Sequence, residues 1–422
     1  MGPTKVGPVF ATFATLDPCV RGPQRLPLAN DAREALSQPP GAEGDRGSTM
    51  VKSVDLAESQ LRELLGAREQ LRGMVVGPVR EVWPDVTWEE LARYVEYSWA
   101  DTYQDQSRFC YSPGYLAWLF GTDGLGWDLS IAAKGGDEVV GVLLTAPRRI
   151  VTPHGLLDTG IATQLSVHPH RKGAGIGKLL HLSNQREATR RLAGTFCWLD
   201  PAVATPASSY RILSRLEGEH LEHWGTYRLR LRVIDPARVA ATVSLRFCER
   251  PVVSLVRARL GRAVPLELIG AGNVEEATEF LNSTGPDVRR VFSPEELMRY
   301  AATQDDQRGF HTGGVVVRQC GRIEGVAAAY PTELAGHEGN PLVFVDWVAL
   351  TEDARPARLA RALEAMAREQ FDACALVTLD PRLGLGCGYL PTRRVIGCYC
   401  TPFREELVTP SQAAHPPPID EK

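Results

Sequence analysis

Few aromatics, 7% of the chain, and no basic excess mark this 422-residue sequence: 47 Lys and Arg against 51 Asp and Glu leave a net charge of −4. Without a positive field there is little to hold a phosphodiester backbone, which argues against nucleic-acid binding. No apolar run reaches the ~20 residues that cross a bilayer, which argues against a membrane span. The opening stretch MGPTKVGPVFATFATLDPCV has one Lys and no long apolar core, unlike an export signal, and Val6 stands where a myristoylation acceptor wants Ser or Thr. The nine cysteines are odd in number and none forms a C-x-x-C pair, so reduced thiols in cytoplasm are expected, with no disulfide framework and no metal site. A nucleophile elbow is also absent, which points away from an acyl-enzyme.

What is present is an ordinary globular composition, 44% hydrophobic and 23% charged, on a chain long enough for two domains. Pro- and Gly-rich ends suggest flexible tails at 1–52 and 409–422. Between them helical and strand patterns alternate, and the order recurs. In the first half a hairpin (IAAKGGDEVVGVLLTAP) leads to a strand (GIATQLSV), a helix and a strand (TFCWLD); in the second, VVVRQCGRIEGVAAAYP leads to LVFVDWVAL, a helix and ACALVTLD. This predicts a mixed α/β fold built by duplication, with domains at 53–235 and 236–408. The pattern places strands at Asp128–Ala133 and Leu342–Leu350 and helices at Pro113–Phe120 and Ser208–Glu219, among others.

The sharpest feature is VHPHRKGAGIGKLL, residues 167–180, between a strand pattern and a helix pattern. A helix N-terminus presents unpaired N–H groups and the positive end of the macrodipole. Gly173, Gly175 and Gly177 let backbone approach an anion, and Lys172 and Lys178 add charge, so the loop suits a phosphate or pyrophosphate. The glycines fit neither G-x-G-x-x-G nor a Walker loop, where Lys178 would need Ser or Thr after it and has Leu179. Val167, Pro169, Lys172, Gly173, Gly175, Ile176 and Gly177 instead resemble the GNAT pattern V-x-P-x-x-[QR]-G-x-G-[IVA]-G, with Lys172 replacing Arg or Gln. That resemblance implies that Val167 and Lys172 to Lys178, with Ala174 and Ile176 among them, hold the pyrophosphate of coenzyme A. It also implies a splayed strand, here Gln164, Leu165, Ser166 and Val167, along which pantetheine pairs.

A second stretch, SRFCYSPGYLAW at 107–118, resembles the R-F-x-Y-S-x-x-[FY]-L-x-W segment of eukaryotic N-myristoyltransferases, which are tandem GNAT proteins; GDEVVGVLLTAPRRI, QLSVH and FDACALVTLD add to the likeness. The fold it implies is two GNAT-like domains in tandem, each a mixed twisted sheet flanked by helices. Two departures matter. Those enzymes use a C-terminal carboxylate as base, whereas here the chain runs on through ELVTPSQAAHPPPIDEK, so Lys422 is not expected in that role. Their phosphate loop also lacks glycines. The glycine-rich form is closer to bacterial GNAT acyltransferases that lipidate peptide natural products.

The expected activity is therefore transfer of an acyl group from acyl-CoA, or from an acyl carrier protein, to an amine, with the donor as co-substrate and no permanently bound cofactor. A peptide N-terminus is the leading acceptor, and a monomer is expected. Aminolysis of a thioester needs a neutral, aligned amine and donors for the oxyanion. Backbone N–H groups of Gln164, Leu165 and Ser166 are the oxyanion candidates by resemblance. Asp346, Asp200 and Asp380 are candidate bases, Asp346 first because a carboxylate inside an apolar strand is costly without a purpose. Tyr210 is the candidate proton donor to the thiolate. Acetylation of a small-molecule amine and a non-catalytic acyl-CoA-binding module are the competing readings. The second half lacks a glycine-rich loop and is expected to shape the acceptor groove.

Overall fold

A computed structural model describes residues 47–103, 109–120, 125–199, 222–242, 264–285, 289–305, 309–337, 339–404 and 407. In chain order the helices used below are α1 (Gly47–Ala67), α2 (Trp88–Tyr103), α3 (Pro113–Phe120), α4 (Ile176–Thr189), α5 (Val274–Ser283), α6 (Pro294–Ala301) and α7 (Pro356–Phe371). The strands are β1 (Met74–Pro78), β2 (Ile131–Gly135), β3 (Glu138–Thr152), β4 (Gly155–Val167), β5 (Gly194–Leu199), β6 (Glu222–Val233), β7 (Glu267–Leu268), β8 (Arg289–Arg290), β9 (Gln304–Asp305), β10 (Phe310–His311), β11 (Gly313–Gln319), β12 (Arg322–Thr332), β13 (Leu342–Leu350), β14 (Ala375–Thr378) and β15 (Leu390–Pro402). No described helix is long and apolar enough to cross a membrane.

The duplicated pattern is real at the level of strand pairing. β2-β3-β4-α4-β5 and β11-β12-β13-α7-β14 each make two antiparallel hairpin pairings followed by a parallel crossover, β4 to β5 and β13 to β14. A parallel pairing needs a crossover of a dozen residues or more, which the two helices supply. Their small residues set the packing distance: a Cβ on Gly141 of β3 would lie 2.8 Å from Ile176 and Leu180 of α4. α1 and α4 cover one face of the first unit, and α7 covers the same face of the second. The opposite face carries one large core, where α2, α3, α5 and α6 pack aromatic side chains on both units. β13, apolar at nearly every position, is buried along its whole length, as expected for a strand covered on both faces.

One expected strand is corrected. Asp128 and Leu129 belong to a short helix, Leu125–Leu129, and the strand starts at Ile131. Ser130 ends that helix, its N–H and its hydroxyl both donating to the Gly126 carbonyl at 3.0 and 2.6 Å. The segment expected to be helical at Ser208–Glu219 lies outside the described residues.

Strands β6 and β15, which the apolar patterns do not reveal, join the two units into one 13-stranded sheet, in which β5, β15, β6 and β14 are successive neighbours. Thus β15, near the C-terminus, pairs with β5 of the first unit, and β6, from the middle of the chain, pairs with β14 of the second. A buried ion pair fastens this exchange: Arg232 on β6, 3% exposed, meets Glu364 of α7 at 2.5 Å.

Candidate functional site

β4 pairs with β5 only at Gly160–Ile161, against Thr195–Phe196. Both strands run on, so residues 162–167 of β4 keep the edge toward β5 unpaired by it. On the other side the β3–β4 ladder slips between Val142 and Leu144, which pair with Ser166 and Thr163, so Gln164 and Leu165 form a bulge. Gln164 has φ 46°, a left-handed conformation rare outside glycine, and is fully buried. Two contacts pin the bulge carbonyls. The Ser166 hydroxyl donates to the Gln164 carbonyl at 3.1 Å, and the Trp99 indole donates to that of Leu165 at 3.3 Å. With those oxygens engaged, the bulge is held in a fixed, bent conformation. Gln164, Leu165, Ser166 and Val167 therefore stand together on one splayed strand.

β4 ends directly in the glycine loop. Gly173 and Gly175 have φ of 82° and 95°, and Gly175 is the N-cap of α4. The first bond of α4 runs from the Leu179 N–H to the Gly175 carbonyl, so the N–H groups of Ile176, Gly177 and Lys178 precede the helical ladder. Ala174 packs against the core beneath the loop. Arg68, from the segment after α1, donates to the Gly173 carbonyl at 3.1 Å and adds a guanidinium to the charge of Lys172 and Lys178. Sequence reading missed Arg68: it lies about a hundred positions upstream, and nothing local signals the contact. Arg171 is drawn off by Glu138 at 3.8 Å, which also meets His168 at 3.4 Å.

The second unit is built alike and occupied by itself. At the corresponding turn, the Arg355 N–H at the start of α7 donates to Glu324 Oε1 at 2.8 Å, and the Arg358 guanidinium meets Glu324 Oε2 at 2.7 Å. Glu324 is 7% exposed. It occupies the strand position of Val140 in the first unit: the carbonyl of Val140 accepts from His168 N–H, and that of Glu324 from Thr351 N–H. An internal carboxylate thus takes the helix N-terminus that the glycine loop leaves open in the first unit.

Asp346 lies in a bulge of its own strand. Ala328 pairs with Trp347 and Ala329 with Val345, leaving Asp346 between them. The bulge turns Asp346 and Trp347 to the aromatic face, where the Tyr300 hydroxyl donates to Asp346 Oδ2 and Trp347 packs edge-on against Phe292. Rings connect the two bulges: Trp99 meets Tyr111 at 5.3 Å, then Tyr115, Trp118 and Tyr300 follow at 5.5, 5.7 and 4.7 Å. Burial pushes the Tyr115 hydroxyl well above the usual tyrosine range, so it stays protonated. A continuous run of ring contacts thus links the β4 bulge to the bulge that carries Asp346. Asp380 is committed to Arg382, with both carboxylate oxygens accepting from its guanidinium, at 2.6 Å for the shorter contact. Asp200 and Tyr210 lie outside the described residues. No cluster of three or more His, Cys, Asp or Glu side chains suited to a metal occurs among the described residues.

No protein-family model matches the sequence, and no curated protein matches it. Solved structures do. N-myristoyltransferase from Saccharomyces cerevisiae with bound myristoyl-CoA superposes with a TM-score of 0.59 at 12% identity, over 78% of this chain and 78% of that one. A second structure of that enzyme, with myristoyl-CoA and inhibitors, gives 0.59 and 12% over 79% and 80%. At this identity the likeness speaks to architecture, and this chain has the mixed α/β fold of N-myristoyltransferase, a large twisted sheet flanked by helices.

Proposed function

We propose that this chain is an N-acyltransferase of the GNAT superfamily that moves a fatty acyl group from a phosphopantetheine thioester to an amine, most simply the N-terminus of a peptide. The observation that carries this reading is the continuity of a free, bulged strand edge at 162–167 with a glycine loop that opens a helix. Pantetheine pairs along that edge, and its phosphates meet the N–H groups of Gly175 to Lys178, with Arg68, Lys172 and Lys178 supplying charge. The donor is acyl-CoA or an acyl carrier protein, which share the phosphopantetheine arm.

In the reaction the neutral amine attacks the thioester carbonyl. The C–N bond forms, the C–S bond breaks, and the proton lost by the amine ends on the departing sulfur. Backbone N–H groups at Gln164 to Ser166 stabilise the oxyanion. Asp346 holds the incoming ammonium and takes its proton, directly or through water, with Asp200 as the next candidate; Tyr210 protonates the thiolate. The second unit, its helix N-terminus filled by Glu324, shapes the acceptor groove and binds no donor. Lipidation of a peptide natural product is the biological setting that suits a glycine-rich loop on this fold.

The test is incubation with acetyl- to palmitoyl-CoA and with acyl carrier proteins, each against N-terminal glycyl peptides and small amines, read by intact mass. Acylation of peptides by long-chain donors supports the proposal. Transfer of acetyl alone to small amines would replace it with small-molecule acetylation, and donor binding without transfer by any pair would replace it with a binding module.

A further inference from the structure

Where β4 and β5 diverge, the fold buries polar atoms and leaves them unpaired. Past the last pairing, Ile161 with Phe196, the register sets Thr163 level with Trp198 and Gln164 level with Leu199. Thr163, Gln164 and Trp198 are buried, Gln164 completely. Thr163 Oγ1, Trp198 Nε1 and both Nε2 and Oε1 of Gln164 have no hydrogen-bond partner. Thr163 and Trp198 lie two residues beyond Ile161 and Phe196, which belong to the aromatic core, so their side chains take that face. Gln164 follows Thr163 in the bulge, with φ 46°. Backbone held in that region costs free energy, and such residues gather at functional sites.

A buried carboxamide with neither atom paired is rare in folded proteins, and an apolar side chain of similar length would serve packing better. The group that completes Gln164 must accept from Nε2 and donate to Oε1. A carboxylate has no donor, and an ammonium has no acceptor. The tetrahedral adduct of thioester aminolysis has both: its oxyanion and its N–H group share one carbon, as Oε1 and Nε2 do in the carboxamide.

Building on the acyltransferase reading above, we propose that the Gln164 side chain is a catalytic residue that grips this adduct at both atoms. As the amine nitrogen bonds to the thioester carbon, the C=O π pair moves to oxygen. Nε2 donates to that oxyanion, and Oε1 accepts from an N–H of the attacking nitrogen. Collapse restores the C=O bond and breaks the C–S bond, and the extra proton on nitrogen leaves for the base and ends on sulfur. Gln164 gains and loses no proton. Backbone N–H groups act on the oxyanion alone, whereas the carboxamide also fixes the line along which the amine attacks.

Gln164→Met keeps the length of the side chain and removes both polar atoms. With the fastest donor and acceptor pair of the panel above, its kcat and kcat/KM should fall together by about 10²–10³, the scale of one oxyanion donor. Desulfo-CoA affinity by calorimetry should hold, and Tm should hold or rise. Weaker desulfo-CoA binding overturns the proposal, because the carboxamide then meets an amide of pantetheine. A higher acceptor KM at unchanged kcat overturns it too, because the carboxamide then meets an amide of the acceptor. A fall of several degrees in Tm, or failure to fold, means that the protein itself pairs Gln164, and the assignment is lost. Gln164→Glu supplies a second reading. A protonated carboxyl has an O–H to donate and its anion has none, so the rate relative to wild type should rise as pH falls from about 8 to 5. A ratio constant across that range overturns the proposal. Failure of the wild-type protein to bind desulfo-CoA would strike the acyltransferase reading, whereas wild-type turnover by Gln164→Met would strike only this one.

Discussion

Glu324 holds Arg358 at 2.7 Å across the first turn of α7, and with the Arg355 N–H it closes the helix end that the other unit keeps open. One carboxylate where the first unit has Val140 separates a helix N-terminus closed by a side chain from one that is not. Arg358→Ala should cost about 1–3 kcal/mol, the scale of losing a charge-assisted partner of a buried group. Desulfo-CoA affinity should not change. Urea denaturation and titration calorimetry measure the two effects; a large loss of affinity would show that the second unit binds donor.

The glycine loop should respond in the opposite sense. Lys178→Glu and Arg68→Glu each leave the backbone intact and should weaken donor binding about tenfold, the order of one charged hydrogen bond. Gly175→Asp should do more, because φ of 95° strains any side chain and the carboxylate repels phosphate. Wild-type affinity in a folded Lys178→Glu would remove the donor site from this loop.

Asp346→Asn preserves shape but loses charge. The variant should fold, and acyl transfer should fall by roughly 10²–10⁴, the usual scale for a general base. Tyr300→Phe removes the hydroxyl that donates to Asp346 and should alter the pH profile of transfer with less effect on its maximum. An Asp346→Asn enzyme with wild-type rates from pH 6 to 9 would transfer the role to Asp200.

The exchanged strand should depend on its buried pair. Arg232→Met leaves Glu364, 8% exposed, with only Arg368 at 2.8 Å. The expected loss is about 3–5 kcal/mol, and Arg232→Met with Glu364→Leu should recover most of it. Equilibrium unfolding of both variants decides this; a single variant as stable as wild type would show that the pair does not fasten β6.

Acid sensitivity has an identifiable contributor on α4. Burial pushes the His181 imidazole from its ordinary 6.5 down to about 4. The unfolded chain therefore takes up this proton before the folded one. Stability from neutral His181 is present in full above about pH 6.5 and is lost as pH falls from there toward 4. His181→Asn should flatten the urea midpoint against pH over that window, and an unchanged slope would remove the assignment.

Local pattern determined much of this protein. Helix α3 and strand β13 fall at the bounds that periodicity predicts, because each is a short apolar run closed by Gly, Pro or charge. The glycine loop was legible as a turn into a helix because glycines between a strand pattern and a helix pattern supply the positive φ that Gly173 and Gly175 adopt. The repeat was legible because each unit is a local hairpin and crossover.

Only the tertiary structure decided what joins those units. β6 carries Arg228, Arg230 and Arg232 in alternation, and β15 carries Pro391, Arg393 and Arg394, so neither reads as a buried strand. Their partners lie far along the chain, and such pairings leave no local pattern. The same holds for Arg68 on the glycine loop and for Glu324 at the end of α7. Each is an unremarkable charged residue in sequence. Its role comes from the group the fold sets opposite it, and Coulomb and hydrogen-bond energies depend on distance in space, which spacing along a chain does not encode.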